Sequence, residues 1–491
     1  MRLLLMSKVL LINPMIPTMP KGTRCLSTGL LWIGSYLKQN DYEVKMIDVR
    51  NEENYKNLIK REVDKSLCVG VTAMTAQIPN ALEICNLIKE KDSDTPIIWG
   101  GIHPILFPEG TINDEMVDVS CYGEGEYVML NLAKCFEGYI ELDKINGIAY
   151  KKDGLIKLTK PEKDFNMDEL SSVSWDLMDE SILKKPEKFE FPVHTGRGCC
   201  HRCTFCHNVI SGTKYRHRDT GMIMKDLEDL KELGAVEIRF RDDNFFIDKN
   251  MVERITKEMI EKEMGFMWYG SMRVDYLREG HIDMKIMKYL KESGCQWLAF
   301  GAESGSQKIL DILKKDITVE QTIQSAKICR EVGIKPVYSF IIGIPEETED
   351  DIMMSLNLID KLKKICPDAR INGPQILRVY PSGELYDQCK KLGWKEPKTL
   401  KEWKDEVIKD MAYVTARDLP WVKNSDLLDA VCNTSFSNKS LNVLIRNKKP
   451  LLKLLSLMVF IDSKIRWKSR FFGLPFDIKL IQKLRRYEYK I

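Results

Sequence analysis

Strands and helices alternate along residues 8–137 and again from Pro192 to about 400, and most strands in both runs are apolar throughout. Strands of that kind are buried on both faces of a parallel sheet. The sequence therefore predicts an α/β protein: a doubly wound, flavodoxin-like unit, then a partial (β/α)6 TIM-type barrel, then a basic C-terminal region. The chain has 491 residues, 44% hydrophobic and 30% charged, which excludes a disordered chain and suits several folded units.

The first run, 8–137, opens with KVLLINP, an apolar strand ending at Asn-Pro. TGLLWIGSYLKQN has helical spacing. YEVKMIDV, LCVGVTAM, PIIWGG and VDVSCYG follow as strands, with helices such as PNALEICNLIKEK between them. Five parallel strands fit the doubly wound order, in which ligands sit outside the carboxyl ends of the strands. Asn13, Thr72 to Thr75, Gly100 to His103 and Gly123 to Glu126 fall at those ends. Residues 138–185 read as a connector containing a hairpin, INGIAYKKDGLIKLT, with Asp-Gly at its turn. The second unit, 186–400, presents FPVHTG, VEIRFRDD, FMWYGSMR, QWLAFGAES, KPVYSFIIG and QILRVY as six strands. Residues 401–491 lose this rhythm and read as mainly helical.

The chain holds 14 cysteines and 6 histidines. It shows no secretory signal and no stretch near the ~20 apolar residues of a membrane span. A reducing cytoplasm is the predicted setting, where clustered cysteines serve metal or redox chemistry. One cluster stands out. GRGCCHRCTFCHN follows the strand FPVHTG, and Cys199, Cys203 and Cys206 have the spacing C-x3-C-x2-C. Thiolates on one short loop can hold three corners of a cubane cluster and leave one iron open. The alternative is zinc, with His201 or His207 as fourth ligand. Cys200, Cys203 and Cys206 also form C-x2-C-x2-C, so spacing alone leaves both readings open; Cys199 follows Gly198 at the strand end, and if it is the ligand Cys200 is a wall residue or spare thiol.

This stretch resembles the signature of the radical S-adenosylmethionine superfamily, including Phe205 before the last cysteine. The resemblance spans roughly 190–385 and continues in DDNFFID, SMRVD, FGAESGSQKIL and FIIGIPEET. Two positions depart from it: Cys200 where Pro or Tyr is frequent, and Glu346 where a glycine is usual. The resemblance implies a 4Fe-4S cluster on Cys199, Cys203 and Cys206 and S-adenosylmethionine on its open iron. It implies cosubstrate contacts from Phe205 and from the strand-end residues Asp242, Asp243, Arg273 and Glu303, the arginine pairing a carboxylate and the glutamate reaching ribose hydroxyls.

Residues 8–137 resemble the cobalamin-binding domain that precedes many such enzymes. NP after the first strand, Ile47-Asp48, VGVTAMT, GGIHP and YGEGE recur in that order. The resemblance implies cobalamin contacts from Asn13, Thr72, Thr75, Gly100, Gly101, His103, Gly123 and Glu124. No G-x-G-x-x-G follows the first strand, which speaks against a dinucleotide. No histidine precedes His103, so the cobalt is expected to have no histidine from the first loop.

Residues 439–491 carry 14 Lys/Arg against 3 Asp/Glu, so the tail is basic and the body acidic. KPLLKLLSLMVFIDSKIRWKSRFF reads as a helix packed on the body, as an amphipathic helix on an anionic membrane surface, or as a site for a phosphorylated substrate. The leading functional reading is C-methylation of an unactivated carbon by a cobalamin-dependent radical enzyme. Ring formation, oxidation or rearrangement is the chemical alternative, and a metal- or cluster-binding regulatory protein the non-enzymatic one. RNA methylthiolation is disfavoured, since its cysteine-bearing N-terminal domain and RNA-binding module are not recognised here. The expected partners are a small-molecule or lipid-like substrate and a flavodoxin or ferredoxin donor, without nucleic acid. The expected place is the cytoplasm, with peripheral contact at the inner membrane surface through the tail. No motif names the substrate.

Overall fold

The computed structural model of the chain describes residues 7–17, 27–207, 214–412, 416, 418–444 and 461–472. Its first sheet is built from β1 (Lys8–Asn13), β2 (Glu43–Asp48), β3 (Cys68–Thr72), β4 (Ile97–Gly100), β5 (Val119–Cys121), β6 (Ile148–Lys152) and β7 (Leu155–Leu158). The order is β2-β1-β3-β4-β5-β6-β7. The first five strands are parallel in the doubly wound order read from the sequence. All six residues of β1 are buried, and they alternate between two cores. Val9 and Leu11 join the helices Thr28–Gln39 and Gly125–Phe136 through Leu31 and Val128, whereas Leu10 and Ile12 join Tyr55–Val63 and Ile78–Lys91 through Ile59 and Ile84. Two layers of helices on one apolar sheet are the reason these strands lack a polar face.

The predicted hairpin exists, with Asp153 at φ 53° and Gly154 at φ 76° in its turn. It is more than a connector: β6 pairs antiparallel with β5, so the hairpin extends the first sheet.

The second sheet contains β8 (Glu190–Val193), β11 (Glu237–Phe240), β12 (Met267–Met272), β13 (Cys295–Glu303), β14 (Lys335–Ile342) and β15 (Arg370–Ile376), all parallel and in sequence order. Between β8 and β11 lies a short antiparallel pair, β9 (Gly196–Arg197) with β10 (Arg216–His217). Helix ends follow local chemistry. The helix Thr220–Leu233 starts where Asp219 accepts the Gly221 amide and stops at left-handed Gly234. The helix Glu349–Ile365 opens on a capping box between Thr348 and Asp351. One strand differs from expectation. QILRVY begins at Gln375, but β15 begins at Arg370 and ends at Ile376. Its first half is polar because Asn372 lines a cavity, which hides the strand from a reading by apolar runs.

The C-terminal region packs on both units. The helix Leu400–Ala412 lies against Ile78–Lys91 and sends Trp403 into the first sheet's core, while Ser425–Leu444 packs on β15. Residues 461–469 are helical; Trp467 donates to Asp360 Oδ1 at 2.8 Å, and Arg470 pairs with Asp360 at 2.6 Å. This part of the tail packs on the body; residues 449–460 lie outside the described residues. Among the described residues no helix is long and apolar enough to cross a membrane.

Candidate functional site

At the carboxyl ends of the second sheet a cavity of about 290 Å3 is lined by Cys199, Cys203, Cys206, Phe205, Asp243 and Arg273, among others. The loop from β9 brings the cysteines, the end of β11 brings Asp243 and Asn244, and the end of β12 brings Arg273. Small inward residues of β12 to β14, among them Ser271, Ala299, Gly301 and Ser339, leave the space. Cys199 is buried, Cys203 and Cys206 are half-buried, and Cys200 is exposed and off the cavity. That separation supports Cys199 over Cys200 as the first ligand.

Two of the three thiols already face N–H donors. Asn244 Nδ2 lies 3.7 Å from Cys199 Sγ, and Arg273 Nη1 lies 3.8 Å from Cys203 Sγ. Such donors stabilise thiolates. The residues present therefore fit a cluster held by three thiolates. The two histidines considered as a fourth ligand to zinc have partners of their own. His201 Nε2 is bound to Tyr276 Oη at 2.7 Å, and His207 is half-exposed and 3.9 Å from Asp243. Burial, aided by Arg273, lowers the His201 pKa to about 4, so the ring is neutral. Tyr276 Oη accepts from Asn244 at 2.8 Å, which leaves its own proton for His201. Asn244 Oδ1 remains buried without a partner on the cavity wall. Asn244 and Tyr276 were missed in the sequence, although Asn244 stands inside DDNFFID.

Two residues expected at the cosubstrate are not among those that line the cavity. Asp242 does not line the cavity: its carboxylate accepts the amides of Thr195 and Gly196 at 2.8 and 2.9 Å and the Thr195 hydroxyl. Burial raises its pKa to about 7 in spite of these donors. Glu303 is buried beside Gly301, which lines the cavity, and is bound to Lys315 Nζ at 3.0 Å. Lys315, for which the sequence carried no signal, lines the cavity and lies 5.5 Å from the Phe205 ring centre. Arg273 lines the cavity, tethered to Asp275 at 2.9 Å and to the Lys315 carbonyl at 2.5 Å.

The first sheet's strand ends are more closed. Asn13 bridges Asp48 and Gln77, each at 3.0 Å. Gly100 accepts the Ala73 amide at 2.8 Å. Gly101, at φ 96°, lets the ends of β3 and β4 touch: a Cβ there would lie 2.8 Å from Thr72 Oγ1. Thr75 Oγ1 meets His103 Nδ1 at 3.1 Å, and Trp403 stands edge-on to His103 with ring centres 5.4 Å apart. His103 Nε2 and Trp403 Nε1 are both buried and unpaired. Burial lowers the His103 pKa to about 3, so it is neutral. These orphaned polar atoms beside Thr75 suit the amide-fringed edge of a corrin, which the face can take once space is made. The space between Thr75, Trp403 and Leu377 to Tyr380 is only about 40 Å3. Gly123 is left-handed with open space around it. Glu124 is not among the residues lining this pocket and pairs with Arg197 at 3.1 Å and with Arg216. Expected at the cofactor, it forms here an ion pair between the two units.

Comparison with known proteins agrees with this layout. The model of the radical SAM superfamily matches residues 193–359, and that of the B12 binding domain matches 22–133. An uncharacterized methyltransferase of Pyrococcus horikoshii is 30% identical over 365 residues, covering 72% of this chain and 78% of its own. The anaerobic magnesium-protoporphyrin IX monomethyl ester cyclase of Rubrivivax gelatinosus is 27% identical over 333 residues, covering 65% of this chain and 59% of its own. The solved structure of the cobalamin-dependent S-adenosylmethionine radical enzyme OxsB with aqua-cobalamin bound superposes with a TM-score of 0.71 at 20% identity, over 98% of this chain and 75% of that one. At that identity the likeness speaks for the fold.

Proposed function

The chain belongs to the cobalamin-binding radical S-adenosylmethionine enzymes, and from that premise we propose that it transfers a methyl group to an unactivated carbon of a small molecule. Its cofactors are a 4Fe-4S cluster, S-adenosylmethionine and cobalamin. Together these supply a one-electron donor, a 5′-deoxyadenosyl radical that abstracts hydrogen, and a methyl carrier. Family membership removes the regulatory reading. One observation carries the proposal: three loop cysteines open, with Asp243 and Arg273, onto a single cavity at the carboxyl ends of a parallel sheet.

In this reading Cys199, Cys203 and Cys206 hold the cluster. Asn244 and Arg273 hold the charge of two of the thiolates through their N–H groups. Arg273 is fixed by Asp275 and the Lys315 carbonyl, so it presents one face to the cavity, where a carboxylate can take it. Asp243, exposed on the same wall, suits an ammonium group. The neutral Tyr276–His201 pair adds no charge to that wall. Thr75, His103 and Trp403 stand where the corrin edge would rest.

The units are taken as 8–137 for cobalamin and 186–400 for radical chemistry, with 138–185 joining them and 401–491 covering both. The enzyme needs a reductant, which we take to be a flavodoxin or ferredoxin, and we place it in the cytoplasm. Exposed Ile461, Ile465 and Phe471 beside Lys464 and Lys468 keep peripheral contact with an anionic membrane, and a lipid-like substrate, in view.

The test is anaerobic reconstitution with iron, sulfide and cobalamin, then incubation with cell extract and methyl-labelled S-adenosylmethionine. Label in a product, with matched formation of 5′-deoxyadenosine and S-adenosylhomocysteine, is the expected result. The cyclase relative gives ring formation as second reading; 5′-deoxyadenosine without transferred label would favour it.

A further inference from the structure

The turn 123–126 ends β5 and opens the helix Gly125–Phe136, so it lies at the carboxyl edge of the first sheet. Its two glutamates reach into the second unit. Glu126 pairs with Arg197 at 2.6 Å, and Glu124 takes Arg197 at 3.1 Å, Arg216 and the Phe165 amide at 2.7 Å. Arg197 and Arg216 are direct cross-strand partners in the β9–β10 pair. That pair closes the base of the loop that carries Cys199, Cys203 and Cys206. Both ends of the cysteine loop are thus tied to one turn of the first unit. Arg197 also lies over Trp32 of the helix Thr28–Gln39, 5.0 Å from its ring centre.

The strap 195–198 is held from the opposite side as well. Asp242 takes the Thr195 and Gly196 amides, and Asp243 Oδ2 takes the Gly198 amide at 3.3 Å. Four carboxylates from two units therefore fix four consecutive residues immediately before Cys199. All four pairing side chains of the Glu124–Glu126–Arg197–Arg216 group are at most 17% exposed. Burial by itself would raise the Glu124 pKa, but Arg197 and Arg216 hold the carboxyl below the usual range. Removing one partner of such a pair leaves a buried unpaired charge and opens the structure locally.

We propose that the turn 123–126 is an interdomain strut: Glu124 and Glu126 act as positioning residues that register the strap 195–198, and with it Cys199, on the cobalamin-bearing unit. A ligand that orders the strand ends of the first sheet then also orders the cysteine loop. This rests on the functional reading above for the nature of the two cofactors, and the ion pairs carry the coupling itself.

Hydrogen–deuterium exchange on the full chain tests it, with hydroxocobalamin as the probe. In the wild type, loading should slow amide exchange across 195–206 about tenfold, because the strut's open states become rarer. In Glu124→Gln/Glu126→Gln, residues 28–136 should slow as in the wild type while 195–206 do not. Arg197→Lys keeps one charge and loses the fork, so it should give intermediate slowing and serves if the double variant does not fold. Slowing of 195–206 that persists in the double variant overturns the proposal, as does binding to the wild type without any slowing there. Visible absorbance of retained corrin is read in the same samples. No corrin bound by the wild type would sink the functional reading itself, whereas corrin bound without transmitted slowing sinks the strut alone.

Discussion

The carboxyl ends of the two sheets were both rich in candidate residues, yet the structure treats them in opposite ways. In the first sheet Asn13 binds Asp48 and Gln77, Thr75 meets His103, Gly100 accepts from Ala73 and Gly101 packs on Thr72, and the free space is about 40 Å3. In the second, Cys199, Cys203, Cys206, Asp243 and Arg273 converge on about 290 Å3, near the lower end of the ~300–1,000 Å3 usual for ligand pockets. A motif at a strand end marks a place, and only packing decides whether its side chains face a ligand or each other.

The comparison is easiest to break at the cysteines. Cys199→Ala, Cys203→Ala and Cys206→Ala should each abolish S-adenosylmethionine cleavage and lower bound iron and sulfide, while Cys200→Ala keeps both. A dead Cys200→Ala with an active Cys199→Ala would reverse the assignment. The next effect belongs to the closed side. Gly101→Ala combines a left-handed φ with contact on Thr72 and Ala73, and should cost about 2–5 kcal/mol in chemical denaturation, with or without cobalamin. Gly123→Ala, whose Cβ meets nothing, should cost less; equal losses would mean that close packing at Gly101 is not what closes this side.

Arg273→Ala should weaken S-adenosylmethionine binding by about 1.5–3 kcal/mol in a titration while the cluster survives. Unchanged affinity would move Arg273 to the structural side of the comparison. The smallest effect concerns Glu347, in the turn after β14. Burial raises its pKa to about 7, although Gly343 and Ile344 amides bind one oxygen. The folded state binds this proton more tightly than the unfolded one, so stability is full below about pH 4.5 and falls as pH rises through 7. Between pH 6 and 8 the wild type should lose about 1.4 kcal/mol from this group, and Glu347→Gln should not. Parallel pH profiles for the two proteins would show that the charge is relieved in place.

Both sheets were legible because most of their strands are apolar and their helices carry caps, as Asp219 with Gly234 and Thr348 with Asp351 do. The cysteine loop was legible from spacing. The polarity of β15 concealed its true start, since Asn372 answers to the cavity and not to a core. Side-chain direction was the other hidden quantity. Asp242 and Asp243 are neighbours in sequence, but one turns to the Thr195 backbone and the other to the cavity. Glu124 sits in a glycine-rich turn that suggested a ligand, and its partner Arg197 lies 73 positions on, beyond any local pattern. Trp403 reaches His103 from still farther along the chain.

That last contact bears on the order in which the molecule is assembled. The helix Leu400–Ala412 closes the strand ends of a unit that leaves the ribosome several hundred residues earlier. During synthesis the ligand face of the first sheet is therefore open while the second unit is still being made, and Trp403 arrives only afterwards. A large ring taken up at that stage is enclosed by the finished chain. In the completed protein Trp403 already stands on that face, so cofactor given during translation and cofactor added later meet different surfaces.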